Sequence, residues 1–345
     1  MQRVAHELTR SIDALPHLLD GRRCVLLLPP GVNAPRLHSI ETRHVGLQQL
    51  PHHVWEQTAL PWAARDGVLL SLAGGAAWYS ARQVVLLHDA AVFDHPEAYT
   101  RPFVWWYRLL FHRLARHARQ IWAVSDFSRN RLARHLGLNI NSIAHLSPGS
   151  EHLQLVAAKT EVLTQLRLSP GNYLLAVASE NPTKNMAALL KAFAQMPNEI
   201  SRRLVIVGSR NTRVFAPLVD HSDPTGVIRA GSIGDGELKA LYENATALVI
   251  PSFYEGFGLP AAEAMACHCP VVAARAASLP EVCGDAALYF DPTSTEDIVR
   301  ALHRVQGDSA LRTDLVSAGA QRAHHFRWEQ SARRLLSGLT SVINA

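Results

Sequence analysis

Short, mostly apolar runs recur along the chain, and amphipathic stretches separate many of them. Strands that alternate with helices predict an α/β fold, in which helices connect the parallel strands of a sheet. In the first half, the strand candidates are residues 24–28, 43–47, 67–72, 84–88, 121–124 and 143–146. In the second half, the strand candidates are residues 173–178, 204–207, 226–229, 247–250 and 271–274, and the helix candidates are 185–195, 235–244 and 260–267.

The two series of strands predict two doubly wound, Rossmann-like domains. A chain of 345 residues exceeds the length at which one hydrophobic core stops growing. We expect an N-terminal domain at 1–155, a C-terminal domain at 156–325, and a helix at 326–345 that returns toward the N-terminal domain. Two such domains would leave a cleft between them, with the carboxyl ends of the strands pointing into it.

The beginning of the sequence departs from this plan. Apolar residues at Val4, Leu8, Ile12, Leu15 and Leu19 follow the spacing of an amphipathic helix. A doubly wound domain usually begins with a strand whose loop leads into the first helix. We therefore expect that the first strand of the N-terminal domain and the loop after it are missing from this sequence.

Composition narrows the setting. Hydrophobic residues make up 48% of the chain and charged residues 18%, which indicates a folded protein with buried sheets. No apolar run reaches the roughly 18 residues of a membrane-spanning helix, and residues 1–20 lack the apolar core of a secretory signal, so we expect a cytoplasmic protein. The net charge of +5 favours anionic partners, such as nucleotide phosphates or an acidic membrane surface. Cys267 and Cys269 lack a second ligand pair at zinc spacing, so no metal site is expected.

The most informative stretch is a strand, a loop and a helix at 247–265. Gly256 and Gly258 would let the backbone approach a ligand closely, and the helix that begins near Pro260 would point free N–H groups at the loop. This environment suits a diphosphate. Glu255 and Glu263 flank it, and one carboxylate could accept from sugar hydroxyls while the other accepts from ribose hydroxyls.

Two other interpretations of the carboxylates exist. Eight helical residues rise roughly 12 Å, more than the roughly 5–9.5 Å between the carboxyl groups of glycosidases, so a hydrolytic pair is disfavoured. A capping loop with incidental acids stays open.

This stretch resembles the E-x7-E signature of the family-4 glycosyltransferases, which have the GT-B fold. Further matches to that family lie at 85–89, 124–128, 181–185, 231–242, 247–263, 269–272, 278–291 and 328–339. The resemblance implies two Rossmann-like domains that face each other across a cleft. It also implies sugar transfer from a nucleotide donor with retention of anomeric configuration, without a catalytic metal or a cofactor.

The resemblance implies roles for individual residues. Glu255 would contact the donor sugar, Lys184 would neutralise the diphosphate, and His88 would line the cleft near the sugar. Glu263 would hold the ribose. For Lys184 a helix-start role, and for His88 a purely structural role, stay open.

The backbone amides of Gly256, Phe257 and Gly258 would bind phosphate or sugar. The further donor-binding candidates are Leu259, Ser179, Asn185, Gly208 and Arg210. Ser179 stands where many members of the family have an arginine, and Arg210 is a candidate to supply that charge.

Residues 101–119 carry five arginines, no acid, and several aromatic residues including Trp105 and Trp106. Such a helix could contact an anionic membrane, and it could equally be an amphipathic helix with its aromatic residues packed inside. No nucleic-acid partner is expected, because no recognised binding module accompanies these residues.

The resemblance, together with these features, implies a retaining hexosyltransferase of surface polysaccharide or lipopolysaccharide synthesis. The acceptor would be a glycan or a lipid-linked saccharide. Mannose from GDP-mannose is favoured, because the segments at 88–89 and 181–185 resemble those of mannosyltransferases; glucose, rhamnose and fucose stay open. A phosphorylase, a sugar-nucleotide epimerase and a binding subunit without turnover are the alternatives.

Overall fold

The structure, a computed structural model, describes residues 1–48, 50–80, 82–179, 181–196, 203–208 and 223–344. The chain divides into two compact units. The first unit comprises Met1–Ala90, Trp105–Gly149 and Trp328–Ala345, and the second comprises Ala91–Val104 and Ser150–Arg327. The domain bounds expected from the sequence stay a prediction.

Every strand pair in the described residues is parallel. The first unit contains β1 (Val25–Leu28), β2 (Glu41–His44), β3 (Leu69–Ser71), β4 (Gln83–Leu87), β5 (Gln120–Ala123) and β6 (Ile143–His145). The second unit contains β7 (Leu174–Val177), β8 (Leu204–Val207), β9 (Val227–Gly231), β10 (Ala247–Ile250), β11 (Val271–Ala274) and β12 (Ala287–Phe290).

Helices follow most of these strands. They are α1 (Gln2–Asp13), α2 (His52–Gln57), α3 (Ala59–Ala63), α4 (Ala91–Asp94), α5 (Arg101–His117), α6 (Asp126–Leu136), α7 (Glu161–Gln165), α8 (Met186–Gln195), α9 (Asp235–Asn244), α10 (Leu259–Ala266), α11 (Leu279–Cys283), α12 (Thr295–Gly307), α13 (Ser309–Ala323) and α14 (Trp328–Asn344). No helix in the described part of the chain combines the length and the apolar character needed to cross a bilayer.

The sheet of the second unit has the strand order β12-β11-β10-β7-β8-β9. The chain builds outward from β7 to β9 and then returns to the other side of β7 to form β10. All residues of β8, β10 and β11 are buried, because helices cover both faces of a parallel sheet. In such a sheet, ligands bind outside the carboxyl ends of the strands at the point where the order reverses, which here lies between β7 and β10.

The first unit holds its strands in a two-stranded sheet, β1-β2, and a four-stranded sheet, β3-β4-β5-β6. Helix α1 buries Val4, Leu8 and Ile12 and contacts α14. The C-terminal helix therefore belongs to the first unit, where the Ser331 hydroxyl donates to the Ser147 carbonyl oxygen.

Several elements differ from the sequence-based expectations. Leu19 lies in a separate 3-10 turn, Pro16–Leu19, because a proline ends the amphipathic helix. The strand expected at 43–47 is β2 at Glu41–His44, since Gly46 has φ +93° and turns the chain. Strand β12 was not among the strand candidates. The strands expected at 204–207, 247–250 and 271–274 are confirmed at those bounds.

Candidate functional site

Two loops of the second unit meet at the point where the strand order reverses. The first is the turn Pro182–Lys184 after β7, and the second follows β10. The Phe253 N–H donates to the Thr183 carbonyl oxygen at 2.9 Å and joins the loops. Across this junction Lys184 Nζ lies 2.8 Å from Glu255 Oε1. The structure thus brings together two of the predicted catalytic residues.

The Glu255 carboxylate is fixed in orientation. The Ser252 hydroxyl donates to the same Oε1 at 2.8 Å, and the Ser278 hydroxyl donates to the Glu255 carbonyl oxygen at 2.9 Å. Only 12% of the side chain is exposed. An acid and a cation held in this way can orient a polar ligand with little loss of side-chain entropy.

Helix α10 begins beside this pair with Gly258 at its N-cap, in the left-handed conformation at φ +91°. Within the described residues, the N–H groups of Phe257, Gly258 and Leu259 donate no hydrogen bond. Consecutive backbone amides whose N–H groups make no hydrogen bond, at the N-terminus of a helix, form a natural anion-binding site. The Phe257 ring packs edge-to-face on the Phe326 ring, with 5.3 Å between the ring centroids. The group of Phe257 that can bind an anion is therefore its backbone N–H and not its side chain.

Glu263 lies in α10 and is only 4% exposed. Its Oε1 is 3.1 Å from His152 Nε2, and its Oε2 accepts from the Tyr242 hydroxyl at 3.2 Å. Burial, and then the charge of Glu263, raise the pKa of Tyr242 well above its usual value, which keeps the hydroxyl a donor. The sequence did not single out His152 or Tyr242. The ribose contact of Glu263 stays a prediction, and it requires a carboxylate oxygen to accept a second hydrogen bond.

The remaining residues predicted to bind the nucleotide-sugar donor differ in how far their groups are already engaged in contacts within the protein. Asn185 donates both N–H groups of its amide to the framework, to the carbonyl oxygens of Pro251 at 3.1 Å and Pro292 at 2.9 Å. Gly208 follows β8, and a Cβ there would overlap the carbonyl oxygen of Ala178, next to the half-buried Ser179. Their roles in donor binding stay predictions. Arg210 lies outside the described residues.

His88 belongs to the first unit and follows β4. Its Nε2 is 2.8 Å from the Leu72 carbonyl oxygen, so Nε2 carries the proton and donates it. Burial lowers the pKa of His88 to about 3, with a further contribution from the α-amino group of Met1. The ring is therefore neutral at physiological pH, and Nδ1 can only accept. Its catalytic role stays a prediction.

A segment that sequence reasoning missed supports the loops of the second unit. The Tyr254 hydroxyl donates to Asp94 Oδ2 at 2.9 Å, and the Asn181 amide donates to the Tyr99 hydroxyl at 3.3 Å. Asp94 and Tyr99 lie in Ala91–Val104, which belongs to this unit. No spacing in the sequence signals these contacts, because they join residues far apart in the chain.

The cysteines near α10 are buried thiols. Burial, together with the charges of Glu243 and Glu263, raises the pKa of Cys267 to about 12, so its thiol stays protonated. Among the residues that the structure describes, no group of three or more His, Cys, Asp or Glu side chains could hold a metal ion.

Comparison with known proteins adds relatives and structural neighbours. The family described as Glycosyl transferases group 1 matches residues 161–322. The chain is 33% identical over 264 residues to O-antigen chain mannosyltransferase B from Escherichia coli. The aligned region covers 74% of this chain and 69% of that protein. It is 26% identical over 236 residues to the serotype-specific mannosyltransferase WbdA from Escherichia coli, which covers 65% of this chain and 29% of that protein.

Among solved structures, sucrose-phosphate synthase from Thermosynechococcus elongatus superposes with a TM-score of 0.74 at 20% identity, over 98% of this chain and 92% of that one. WaaG, a glycosyltransferase involved in lipopolysaccharide biosynthesis, superposes with a TM-score of 0.71 at 14% identity. The superposition covers 98% of this chain and 96% of WaaG. At this identity the likeness shows the fold: two Rossmann-like domains of the GT-B type.

Proposed function

The chain belongs to the group 1 glycosyl transferases, and we propose that it is a retaining, metal-independent hexosyltransferase of family 4 that uses a nucleotide-sugar donor. The acceptor is a glycan or a lipid-linked glycan of surface polysaccharide synthesis. The observation that carries the proposal is the 2.8 Å pair of Lys184 and Glu255 beside the undonated amides of residues 257–259. Positive charge and free N–H groups suit a diphosphate, and a fixed carboxylate suits sugar hydroxyls.

In the proposed reaction the bond between the anomeric carbon and the diphosphate oxygen breaks, and the nucleoside diphosphate leaves. Lys184 and the amides at the start of α10 stabilise the charge that develops on it. The acceptor hydroxyl oxygen bonds to the anomeric carbon, and its proton passes to the departing phosphate. Glu255 holds the sugar hydroxyls, and Glu263 holds the ribose. The family resemblance in the sequence is what supports retention.

We propose mannose as the sugar, supplied as GDP-mannose. Two relatives named as mannosyltransferases support this choice, one of them an O-antigen chain enzyme. An O-antigen or a related surface glycan is the corresponding acceptor.

The test is nucleoside diphosphate release from a panel of sugar nucleotides, with mannose oligosaccharides as acceptors. GDP-mannose should give the highest rate, the anomeric proton of the product should show retention by NMR, and EDTA should leave the rate unchanged. Lys184→Ala should lower kcat at least about 100-fold, because it removes charge stabilisation from the transition state. Lys191→Ala, an exposed lysine on α8, is the matched control and should keep the wild-type rate.

Other outcomes identify the alternatives. Tight GDP binding without release of product from any donor would support a binding subunit. Conversion of the donor sugar to its epimer without transfer would support an epimerase. Equal rates for Lys184→Ala and the wild type would refute the site.

We also propose that the first unit contacts an anionic membrane surface through exposed aromatic side chains. Trp62, Tyr79 and Trp105 are 67–78% exposed, on α3, on the loop before β4 and on α5. Cations lie over aromatic rings of the same unit: the Arg65 guanidinium lies over the exposed Trp62 ring at 4.6 Å, and that of Arg113 lies over the half-buried Trp78 at 5.9 Å. Aromatic residues combined with arginines are typical of surfaces that bind anionic lipid headgroups.

Vesicle sedimentation tests this contact. The protein should bind vesicles that contain phosphatidylglycerol more strongly than pure phosphatidylcholine, and high salt should weaken the binding. Trp62→Ser with Trp105→Ser should reduce it, whereas Leu155→Ser, which changes an exposed leucine of the second unit, should not. If the double tryptophan variant bound these vesicles as strongly as Leu155→Ser does, Trp62 and Trp105 would be excluded as the membrane contact.

A further inference from the structure

Glu56 is a largely buried acid whose carboxylate has no hydrogen-bond partner in the part of the chain that the structure describes. It lies on α2 in the first unit, and 14% of its side chain is exposed. Among the residues that the structure describes, its carboxylate makes no hydrogen bond, and its ion-pair contact is His53 Nδ1 at 4.0 Å. The carboxylate oxygens are not among the fully buried atoms without a partner, so solvent or a ligand supplies the hydrogen bonds that the described residues do not.

The neighbours of Glu56 on α2 hold it in place. The Trp55 ring N–H donates to the Val45 carbonyl oxygen at 2.7 Å. The Gln57 amide donates to the Ala76 carbonyl oxygen at 3.0 Å and accepts from the Trp78 N–H at 2.8 Å. These contacts fix α2 on the loop that follows β3, so the position of the acid is set by the surrounding structure.

The loop beneath the acid approaches the carboxylate closely. A Cβ on Gly75 would overlap Glu56 Oε1, so any larger residue there would displace the carboxylate. A Cβ on the preceding Gly74 would lie 3.5 Å from the His88 ring. The carboxylate and the imidazole therefore border the same two-glycine turn. This turn follows β3, and His88 follows the neighbouring β4, at the carboxyl edge of the sheet where doubly wound domains bind ligands.

We propose that the Glu56 carboxylate is a binding site for a hydroxyl group of the acceptor saccharide. A sugar hydroxyl supplies the hydrogen-bond donor that the described residues of the first unit do not, and the two oxygens of a carboxylate can accept from two adjacent hydroxyls. This inference rests on the proposed function, since it assigns the acceptor of that reaction to the first unit.

The electrostatic setting gives the site a pH dependence. Burial raises the pKa of Glu56 to about 7. The titratable groups around it are His53 on α2, Tyr107 on α5, and His88 with the Met1 amino group beyond Gly74. Burial, and then the charge of Glu56, raise the pKa of Tyr107, and His88 is already neutral, so neither changes charge near pH 7. Saccharide affinity should therefore rise as the pH increases from 6 to 8 and Glu56 ionises.

The experiment is a calorimetric or NMR titration of the full chain with mannotriose, with GDP titrated separately. Glu56→Ala should weaken mannotriose binding about 10- to 100-fold, as expected for the loss of hydrogen bonds to a charged group. Gly75→Ala, which displaces the carboxylate, should weaken it comparably. Glu56→Gln should bind more weakly than the wild type at pH 8 and show no rise between pH 6 and 8, whereas His53→Gln should keep the rise. GDP affinity should be unchanged in all variants.

Matched controls are Asp66→Asn, an exposed acid, and Gly67→Ala, a glycine with open space around it; both should bind mannotriose as the wild type does. Unchanged mannotriose binding in Glu56→Ala, or an effect of Gly75→Ala alone, would overturn the assignment, as would a wild type that does not bind the saccharide. Failure of the proposed function would appear elsewhere, as absent turnover or absent GDP binding in the wild type.

Discussion

Gly258 shows how a single residue makes the anion site. It turns the chain from the loop after β10 into α10 with φ +91° and ψ 48°, a conformation that side chains with a Cβ rarely adopt. A Cβ at this position would also lie 2.8 Å from a methyl carbon of Leu279. The direction in which the first N–H groups of α10 point therefore depends on a glycine.

Replacement of Gly258 by alanine should destabilise the protein by about 1–3 kcal/mol, from left-handed strain and from the contact with Leu279. GDP affinity should fall at least about 10-fold, because the amides rotate away from the phosphates. Urea unfolding and calorimetry measure the two effects. Gly307→Ala is the control, since that glycine has open space around it and an ordinary φ. Unchanged GDP affinity in Gly258→Ala would contradict the amide site.

Glu56 carries a stability signature that separates it from ordinary surface acids. Burial raises its pKa from 4.5 to about 7 in the folded protein, so the folded state holds its proton more tightly than the unfolded state does. The raised pKa therefore does not change the free energy of unfolding below about pH 4.5. That free energy decreases as the pH rises from 4.5 to about 7, and it remains lower above pH 7.

Relative to Glu56→Gln, the wild type should lose about 1–3 kcal/mol of unfolding free energy between pH 5 and pH 8, with partial exposure reducing the full value. Urea unfolding at both pH values gives the difference. Asp66→Asn, the exposed control, should show the same pH dependence as the wild type. A Glu56→Gln difference that does not change with pH would mean that the carboxylate is solvated in the folded protein.

At the scale of elements, the unit formed by β10, its loop and α10 is the part that the sequence predicted best. Four buried apolar residues mark the strand, and the glycines and the proline after them mark its end and the start of the helix. The helix begins at Leu259, one residue before the expected Pro260. These signals are local, so a single sequence contains them. The family resemblance predicted that Lys184 and Glu255 belong to one donor site, but it did not predict the ion pair between them.

What could not be predicted depends on contacts between distant residues. His152 and Glu263 are 111 positions apart, and Glu56 is buried by a glycine turn that follows it by 19 positions. Helix α2 is short and rich in histidine, so its periodicity gives no indication that one acid on it is enclosed. Strand β12 is partly exposed at the edge of its sheet, which weakens the apolar pattern that marked the other strands.

The segment Ala91–Val104 yields a prediction at this scale. The hydrogen bond from Tyr254 to Asp94 fixes the residue before Glu255, so Tyr254→Phe should destabilise the protein by about 1–3 kcal/mol and raise the donor KM several-fold. A double-mutant cycle with Asp94→Asn should give effects that are not additive. Tyr289→Phe, which removes a 2.7 Å hydrogen bond to Gly284 in the same unit, should lower stability and leave the donor KM unchanged. A donor KM that shifts equally in both tyrosine variants would mean that general loosening, not loop position, sets the affinity.

At the scale of the whole molecule, the two units divide the proposed chemistry between them. The residues proposed to bind the nucleotide sugar, Lys184, Glu255 and the start of α10, belong to the second unit, and Glu56 and His88 belong to the first. The side-chain hydrogen bond to Glu255 comes from the second unit, and the one from Gln57 stays within the first. We therefore expect substitutions in the second unit to change binding of the nucleotide sugar, and substitutions in the first unit to change binding of the acceptor.

Thermal unfolding with GDP tests this division. A ligand at 100 times its Kd stabilises the state that binds it by about 2.7 kcal/mol, which for a domain of about 150–250 residues raises Tm by roughly 5–11 °C. We expect this rise in the wild type and in Glu56→Gln, whose change lies in the first unit. Lys184→Ala should reduce it to a small fraction, because the cation proposed to neutralise the diphosphate is gone. Mannotriose should show the reverse pattern, with its stabilisation kept in Lys184→Ala and reduced to about half or less in Glu56→Ala. If both variants lost the response to both ligands, the two groups of residues would act as one site, and the separate assignment of donor and acceptor to the two units would be wrong.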